Sequence, residues 1–240
     1  LSEGFLFGPV DQQGIDPSID SWPVNETDLD AVLSSGQTLT KSYIDGLDGT
    51  LKGFHTIEYL LFGSDGNKLI SDFTARQFEY LAACGQSLTG ATTQLHNSWE
   101  PTGENYVANF KQAGVSGHSI YPSQKSALQE IVTGMIVIAD EVANAKINDP
   151  FSQQDITLEE SRFSANSKSD FADNIRSTQN AHLGKYASGT GLSISSVIKS
   201  KDPSLDQTVK AKIESAIAAI ENIEGTFTSA IFNSPQTIMA

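Results

Sequence analysis

The strongest constraint on this chain of 240 residues is a period. From Lys125 to Lys146 the apolar side chains fall at Leu128, Ile131, Val132, Met135, Ile138, Ala139 and Val142. That is the i, i+3, i+4, i+7 spacing that lines one face of an α-helix. A second stripe, Leu205, Val209, Ile213, Ala216, Ile217, Ile220 and Ile223, crosses Ser204–Phe227, with Asp202 placed as N-cap and Pro203 at the first helical position. A third helix is expected over about Asp72–Trp99, through Phe73, Phe78, Leu81, Leu88 and Leu95, with Ser71 as its cap. A fourth is expected over about Ser167–Tyr186, where Ser167 and Asp170 have capping-box spacing. Shorter helices are expected at 25–34, 50–62, 103–112 and 191–200, and sustained β alternation is nowhere clear. Amphipathic helices with no sheet to cover must bury their stripes on one another. The fold class is therefore all-α, with two packed helical-bundle domains at residues 1–118 and 119–240 and the break in the Gly-, Ser- and Pro-containing stretch 114–122. The non-periodic stretches 148–166 and 8–25 read as long loops of the functional or disordered kind.

Charge narrows the functions such a fold can carry. Lys and Arg number 15 against 29 Asp and Glu, a net charge of −14. A nucleic-acid binder needs a basic face, so no nucleic-acid partner is expected. For the same reason the chain as a whole is unsuited to electrostatic docking on anionic lipid. The acid is uneven: residues 1–120 hold 5 basic and 15 acidic side chains, residues 121–240 hold 10 and 14. The first half is thus the one that attracts cations. Charged residues make up only 18% of the chain, below the usual ~25%, with Ser, Thr, Asn and Gln in their place, as suits a secreted or surface protein. Cys84 is the single cysteine, which excludes an internal disulfide and a Cys-rich zinc site. No run approaches the ~18–20 apolar residues of a membrane span. No signal peptide is visible, but Leu1 opens in mid-pattern without an initiator Met, as a trimmed mature chain or fragment would.

The chemistry concentrates in one short segment. H-E-x-x-H, H-x-x-E-H, the P-loop, G-x-G-x-x-G and G-x-S-x-G motifs are all absent. Gly53-Phe54-His55-Thr56-Ile57-Glu58-Tyr59-Leu60-Leu61-Phe62-Gly63 instead reads as an apolar helix that places His55 and Glu58 three residues apart, side by side on one face. An imidazole and a carboxylate so placed are two ligands for zinc or iron, or equally a hydrogen-bonded pair that orients a buried histidine. His96 with Glu100 reads as a surface pair, His118 as a loop residue and His182 as a core or interface histidine. The segment Glu159–Asp170 is dense in hydrogen-bonding groups; within it Arg162 is a partner for Glu58, for an anionic ligand or for a plain surface salt bridge.

At these residues the sequence resembles the imelysin-like family, which is also classed as a metallopeptidase family. Its G-x-H-x-x-E signature is met by Gly53, His55 and Glu58; its opening pattern by Ser2-Glu3-Gly4-Phe5-Leu6-Phe7-Gly8 and Asp20-Ser21-Trp22-Pro23; its second-half pattern by Leu158–Asp170 and Asn174-Ile175-Arg176. The resemblance implies two helical bundles with a site between them. It also implies export to the periplasm or the bacterial outer membrane or cell surface, in places as a lipoprotein, and a part in iron uptake alongside a membrane transport partner. Carried over residue by residue, it assigns His55 and Glu58 as metal ligands, with Glu3, Trp22, Glu160, Ser161 and Arg162 around them. Family members have a helical segment before the Glu3 motif and a helix after Phe227–Ile231, so this chain is expected to be cut short at both ends. The leading reading is an exported protein of iron uptake that binds a metal ion or an iron-containing ligand. A zinc-dependent peptidase is the first alternative, with a third ligand and a base drawn from Glu3 or Glu160. A metal-free interaction module with a buried His55–Glu58–Arg162 network is the second.

Overall fold

Helix caps decide where the periodic segments start. The computed structural model of the protein describes residues 7–187 and 189–239. In chain order the helices are α1 (Pro9–Gln12), α2 (Glu26–Ser34), α3 (Lys41–Asp45), α4 (Gly53–Phe62), α5 (Ala75–Trp99), α6 (Val107–Lys111), α7 (Gln124–Glu141), α8 (Asp149–Gln153), α9 (Ser167–Leu183), α10 (Ile194–Lys199), α11 (Pro203–Glu221) and α12 (Phe227–Asn233). Asn25 caps α2 by accepting from the Asp28 N–H, and Asp202 caps α11 by accepting from Ser204 and Leu205. The α5 cap is Thr74 rather than Ser71: Thr74 and Gln77 form the capping box, and 70–72 is a separate 3-10 turn. The expected stripe over 204–227 is cut in two by the break at 222–226. The long loop expected at 148–166 holds α8 and a 3-10 turn at Ile156–Leu158. A two-stranded antiparallel hairpin, Lys185–Tyr186 with Gly189–Thr190, interrupts the otherwise helical chain.

One irregularity has a local cause. Beyond Glu141 the chain continues as a π-helix over Val142–Asn148, and the Asp149 N–H bonds to the Asn144 carbonyl. Pro150 has no N–H to give to the Lys146 carbonyl, so the ordinary ladder cannot be completed there. The wider turn carries Lys146 fully into the interior.

The chain divides by its contacts into two compact units, whose described parts are residues 7–130 and 131–239, with the division inside α7. In the first, α5 is the spine on which α1, α2, α3 and α4 pack. Its core is Leu29, Ile44, Leu51, Leu60, Tyr80, Ala83 and Cys84. Each such large apolar side chain contributes about 1.5–3 kcal/mol by leaving water. The Tyr80 hydroxyl, buried with them, donates to the Leu51 carbonyl at 2.6 Å and so ties α5 to the turn before α4. Burial pushes the Cys84 thiol up to about 12. In the second unit α9 and α11 lie side by side, and Phe171, Ile175, Ile213, Ile217 and Ile220 interdigitate with Phe227 and Ile231. At the far end of that pair His182 Nε2 lies 3.0 Å from Asp206 Oδ1, and Lys210 donates to Asp206 Oδ2 at 2.7 Å. Both His182 and Asp206 are buried.

Two outcomes follow from these placements. The Cys84 thiol stays unlabelled by iodoacetamide in the native protein and is labelled once urea unfolds it; native labelling at neutral pH contradicts its burial. The Lys210 ammonium, with the Ser195 and His182 hydrogen bonds, holds Asp206 down to about 2 from the ordinary 3.8. A depressed carboxylate contributes stability that is complete above about 3.8 and lost as pH falls toward 2. Urea midpoints measured between these limits should fall for the native sequence and change less for Asp206→Asn, which starts from a lower midpoint at neutral pH.

Candidate functional site

The site begins at a backbone junction. Gly53 opens α4 at φ 80°, and a Cβ built on it would lie 2.4 Å from the Ile19 carbonyl oxygen. The following N–H, of Phe54, donates to that same carbonyl at 2.8 Å. Only glycine takes this conformation and this approach without strain. Gly49, one turn earlier, meets the same segment by close approach alone: a Cβ there would lie 2.6 Å from Ser21 Oγ and 2.7 Å from the Pro17 carbonyl oxygen. The segment 17–21 is thus pressed against the entry to α4 from both sides. Lys52, itself buried, reaches back to the Asp45 and Leu47 carbonyls at 3.0 and 2.8 Å and satisfies the end of α3. The Thr56 hydroxyl donates to the Thr50 carbonyl at 3.3 Å.

This junction brings Asp20 to His55. His55 is 6% exposed. Its Nε2 lies 2.8 Å from Asp20 Oδ1 and its Nδ1 3.1 Å from Glu58 Oε2, and all three side chains are buried or nearly so. Trp22 stands edge-on to the imidazole, with ring centroids 6.4 Å apart. A neutral imidazole donates through one nitrogen only. Carboxylates on both nitrogens therefore call for a doubly protonated ring, for a protonated carboxyl, or for a cation in place of a proton. With both carboxylates ionised, these three side chains by themselves carry at least one negative charge whichever state His55 takes. One ring nitrogen with the carboxylate beside it is a donor pair that iron and zinc both accept, and the carboxylate on the other nitrogen would then orient the ring. The residues present thus fit a divalent metal, and the chain's own contribution is to hold the imidazole between two acidic groups in a setting with little water.

The other residues named from sequence fall as follows. Glu3 lies outside the described residues. Glu160, Ser161 and Arg162 belong to the second unit. There Glu160 accepts from the buried Lys146 at 2.7 Å, with Glu141 3.7 Å from the same ammonium. Ser161 is buried and takes a left-handed φ of 54°, and the Arg162 guanidinium stacks over the Phe163 ring at 4.1 Å. Ser167 is not the side-chain cap of α9. Its hydroxyl, buried, lies 2.6 Å from both Glu159 Oε1 and the Glu160 carbonyl, and Asn166 occupies the cap position. Glu159 also accepts from Thr228 at 2.8 Å, and burial pushes its carboxyl above the usual range. Asp20, Lys146 and Glu159 are the polar residues that periodicity misses. Asp20 sits in the D-S-W-P run, which carries no spacing that points to residue 55.

Comparison with known proteins gives the family and the fold. The family model for imelysin matches residues 2–239. Iron-regulated protein A of Synechococcus elongatus is 28% identical over 222 residues, which are 91% of this chain and 58% of that protein. The chain thus spans 58% of the length of that curated relative. A crystal structure described as that of an iron-regulated protein A precursor from Parabacteroides distasonis aligns with a TM-score of 0.86 at 28% identity, over 99% of this chain and 73% of that one.

The junction makes a sharp prediction. Gly53→Ala should lower stability in urea by roughly 2–4 kcal/mol, from the left-handed backbone and the clash with Ile19. Gly85→Ala, inside α5 with open space at its Cβ, should instead raise stability by about 0.5–1 kcal/mol. Equal effects at the two positions would contradict the account.

Proposed function

The chain belongs to the imelysin family, and on that footing we propose that it is an exported protein of bacterial iron uptake that holds a metal ion or an iron-containing ligand at His55, through one ring nitrogen and the carboxylate of Asp20 or Glu58 beside it. The observation that carries the reading is that both ring nitrogens of a buried histidine face carboxylates, at 2.8 and 3.1 Å. The resemblance puts the family's ligand between the two halves; the proposal made here rests on residues of the first unit alone. The names of the two relatives, both iron-regulated, support iron over zinc as the physiological metal, and the description of one as a precursor supports export to the periplasm or outer membrane. No helix among the described residues is long and apolar enough to cross a membrane.

A bound metal would act at this site as a Lewis acid or as cargo. His55 and one of Asp20 and Glu58 would hold it, the other carboxylate would orient the imidazole through its second nitrogen, and Trp22 would pack against the ring. Binding must displace protons from these groups, so affinity falls as pH falls. A second reading, a metal-free polar network, is favoured by the fact that both distances are hydrogen-bond lengths. In that reading His55 is structural, and its loss leaves an unpaired buried charge.

Thermal melts with added Fe(II) or Zn(II) separate the two. At a hundredfold excess over the dissociation constant, the metal should raise the melting temperature by roughly 5–10 °C. The shift should vanish in His55→Ala and shrink in Asp20→Asn. A melt that drops in His55→Ala yet never responds to either metal in the native sequence establishes the polar network instead.

A further inference from the structure

Between Asp173 and Asp202 the sequence holds no acidic residue, although the chain as a whole carries −14. Within that gap lie the hairpin and α10. There Lys185, Lys199 and Lys201 are exposed, and among the described residues none of them has an ion-pair partner. The same excursion carries apolar side chains into solvent: Leu192 is 100% exposed, Tyr186 88% and Val197 52%. The hairpin shows both faces to solvent, since Lys185 and Tyr186 on one strand and Gly189 and Thr190 on the other are all exposed. An isolated two-stranded hairpin is marginal in water. This one is held at its base, where α9 ends at Gly184 and the Gly191 N–H donates to the Gly184 carbonyl at 2.8 Å. The His182–Asp206 pair and the buried Ile194 and Ser195 fix that base to α11.

We infer that the described residues 185–187 and 189–201, which hold the hairpin, α10 and the turn after it, are a docking surface for an anionic lipid bilayer. The occupant is argued from charge and amphipathicity: exposed Lys185, Lys199 and Lys201, with no acidic residue between Asp173 and Asp202, accompany exposed Tyr186, Leu192 and Val197. The chemistry is that of peripheral membrane contact. Tyr186 suits the headgroup layer, Leu192 the acyl boundary, and the three lysines the anionic phosphates. The overall charge of −14 does not forbid it, because charges farther than a Debye length of roughly 10 Å from the lipid are screened. The flanking Asp202 is engaged in capping α11 through the Ser204 and Leu205 N–H groups. Asp206 is buried on Lys210. The inference is independent of the metal site.

The test is co-sedimentation of the full chain with phosphatidylglycerol vesicles and, separately, with phosphatidylcholine vesicles. Binding is expected to the first only and to weaken in high salt. The triple variant Lys185→Ala, Lys199→Ala, Lys201→Ala should lose on the order of 100-fold in affinity, while its circular dichroism and melt stay native because all three side chains are exposed. In Leu192→Trp, emission should shift to the blue on the anionic vesicles, against the background of Trp22 and Trp99. Absence of binding, equal binding to both lipids, or binding that the triple variant retains overturns the proposal. So does self-association of the native chain that the triple variant abolishes, which would give this surface to a second copy.

Discussion

Everything at the candidate site hangs on one close approach, the Gly53 backbone against the Ile19 carbonyl. The Phe54 N–H bonds to that carbonyl at 2.8 Å, and a side chain at 53 would lie 2.4 Å from it. This contact stops the 16–21 segment beside the first turn of α4. Asp20 therefore meets the imidazole of His55, two residues into the helix. Glu58 arrives by helical spacing alone. The glycine of the G-x-H-x-x-E run is thus a geometric requirement for the second acidic partner, Asp20, although the glycine is not itself one of the three polar side chains.

That division explains what could be read from the sequence. Helical period located the long helices, and the His55–Glu58 pair followed from a spacing of three on one of them. Asp202 and Asn25 were legible as caps because a cap acts over two or three residues. Ser71 and Ser167 were misread for the same reason turned round. Thr74 with Gln77 made a better box nearer the helix, and the Ser167 hydroxyl was taken by the buried Glu159. Asp20 carries no period and meets His55 only through tertiary packing, so its role was invisible until the backbone junction was seen. Lys146 was hidden differently. It lies four residues beyond Val142 on the same helical stripe, in the π-helical stretch that precedes Pro150, and its ammonium is buried on Glu160.

The second unit shows how buried charge is managed when it cannot be avoided. Lys146 is answered by Glu160, and Glu159 by two hydroxyls. Breaking one member of such a set is more damaging than never having had the set. In the same unit the hairpin, α10 and the turn after it keep Lys185, Lys199 and Lys201, with Tyr186, Leu192 and Val197, exposed. A chain that is acidic overall thus places a basic, greasy tip at one local point, and net charge alone gives no hint of it.

The central claim is that His55, between Asp20 and Glu58, is a metal-binding residue. Anomalous diffraction from crystals grown with Fe(II) or Zn(II) tests it most directly. The account predicts an anomalous peak at the metal's absorption edge, within bonding distance of an imidazole nitrogen of His55 and of a carboxylate oxygen of Asp20 or Glu58. Crystals that show no peak there, with the imidazole still flanked by both carboxylates, would contradict it.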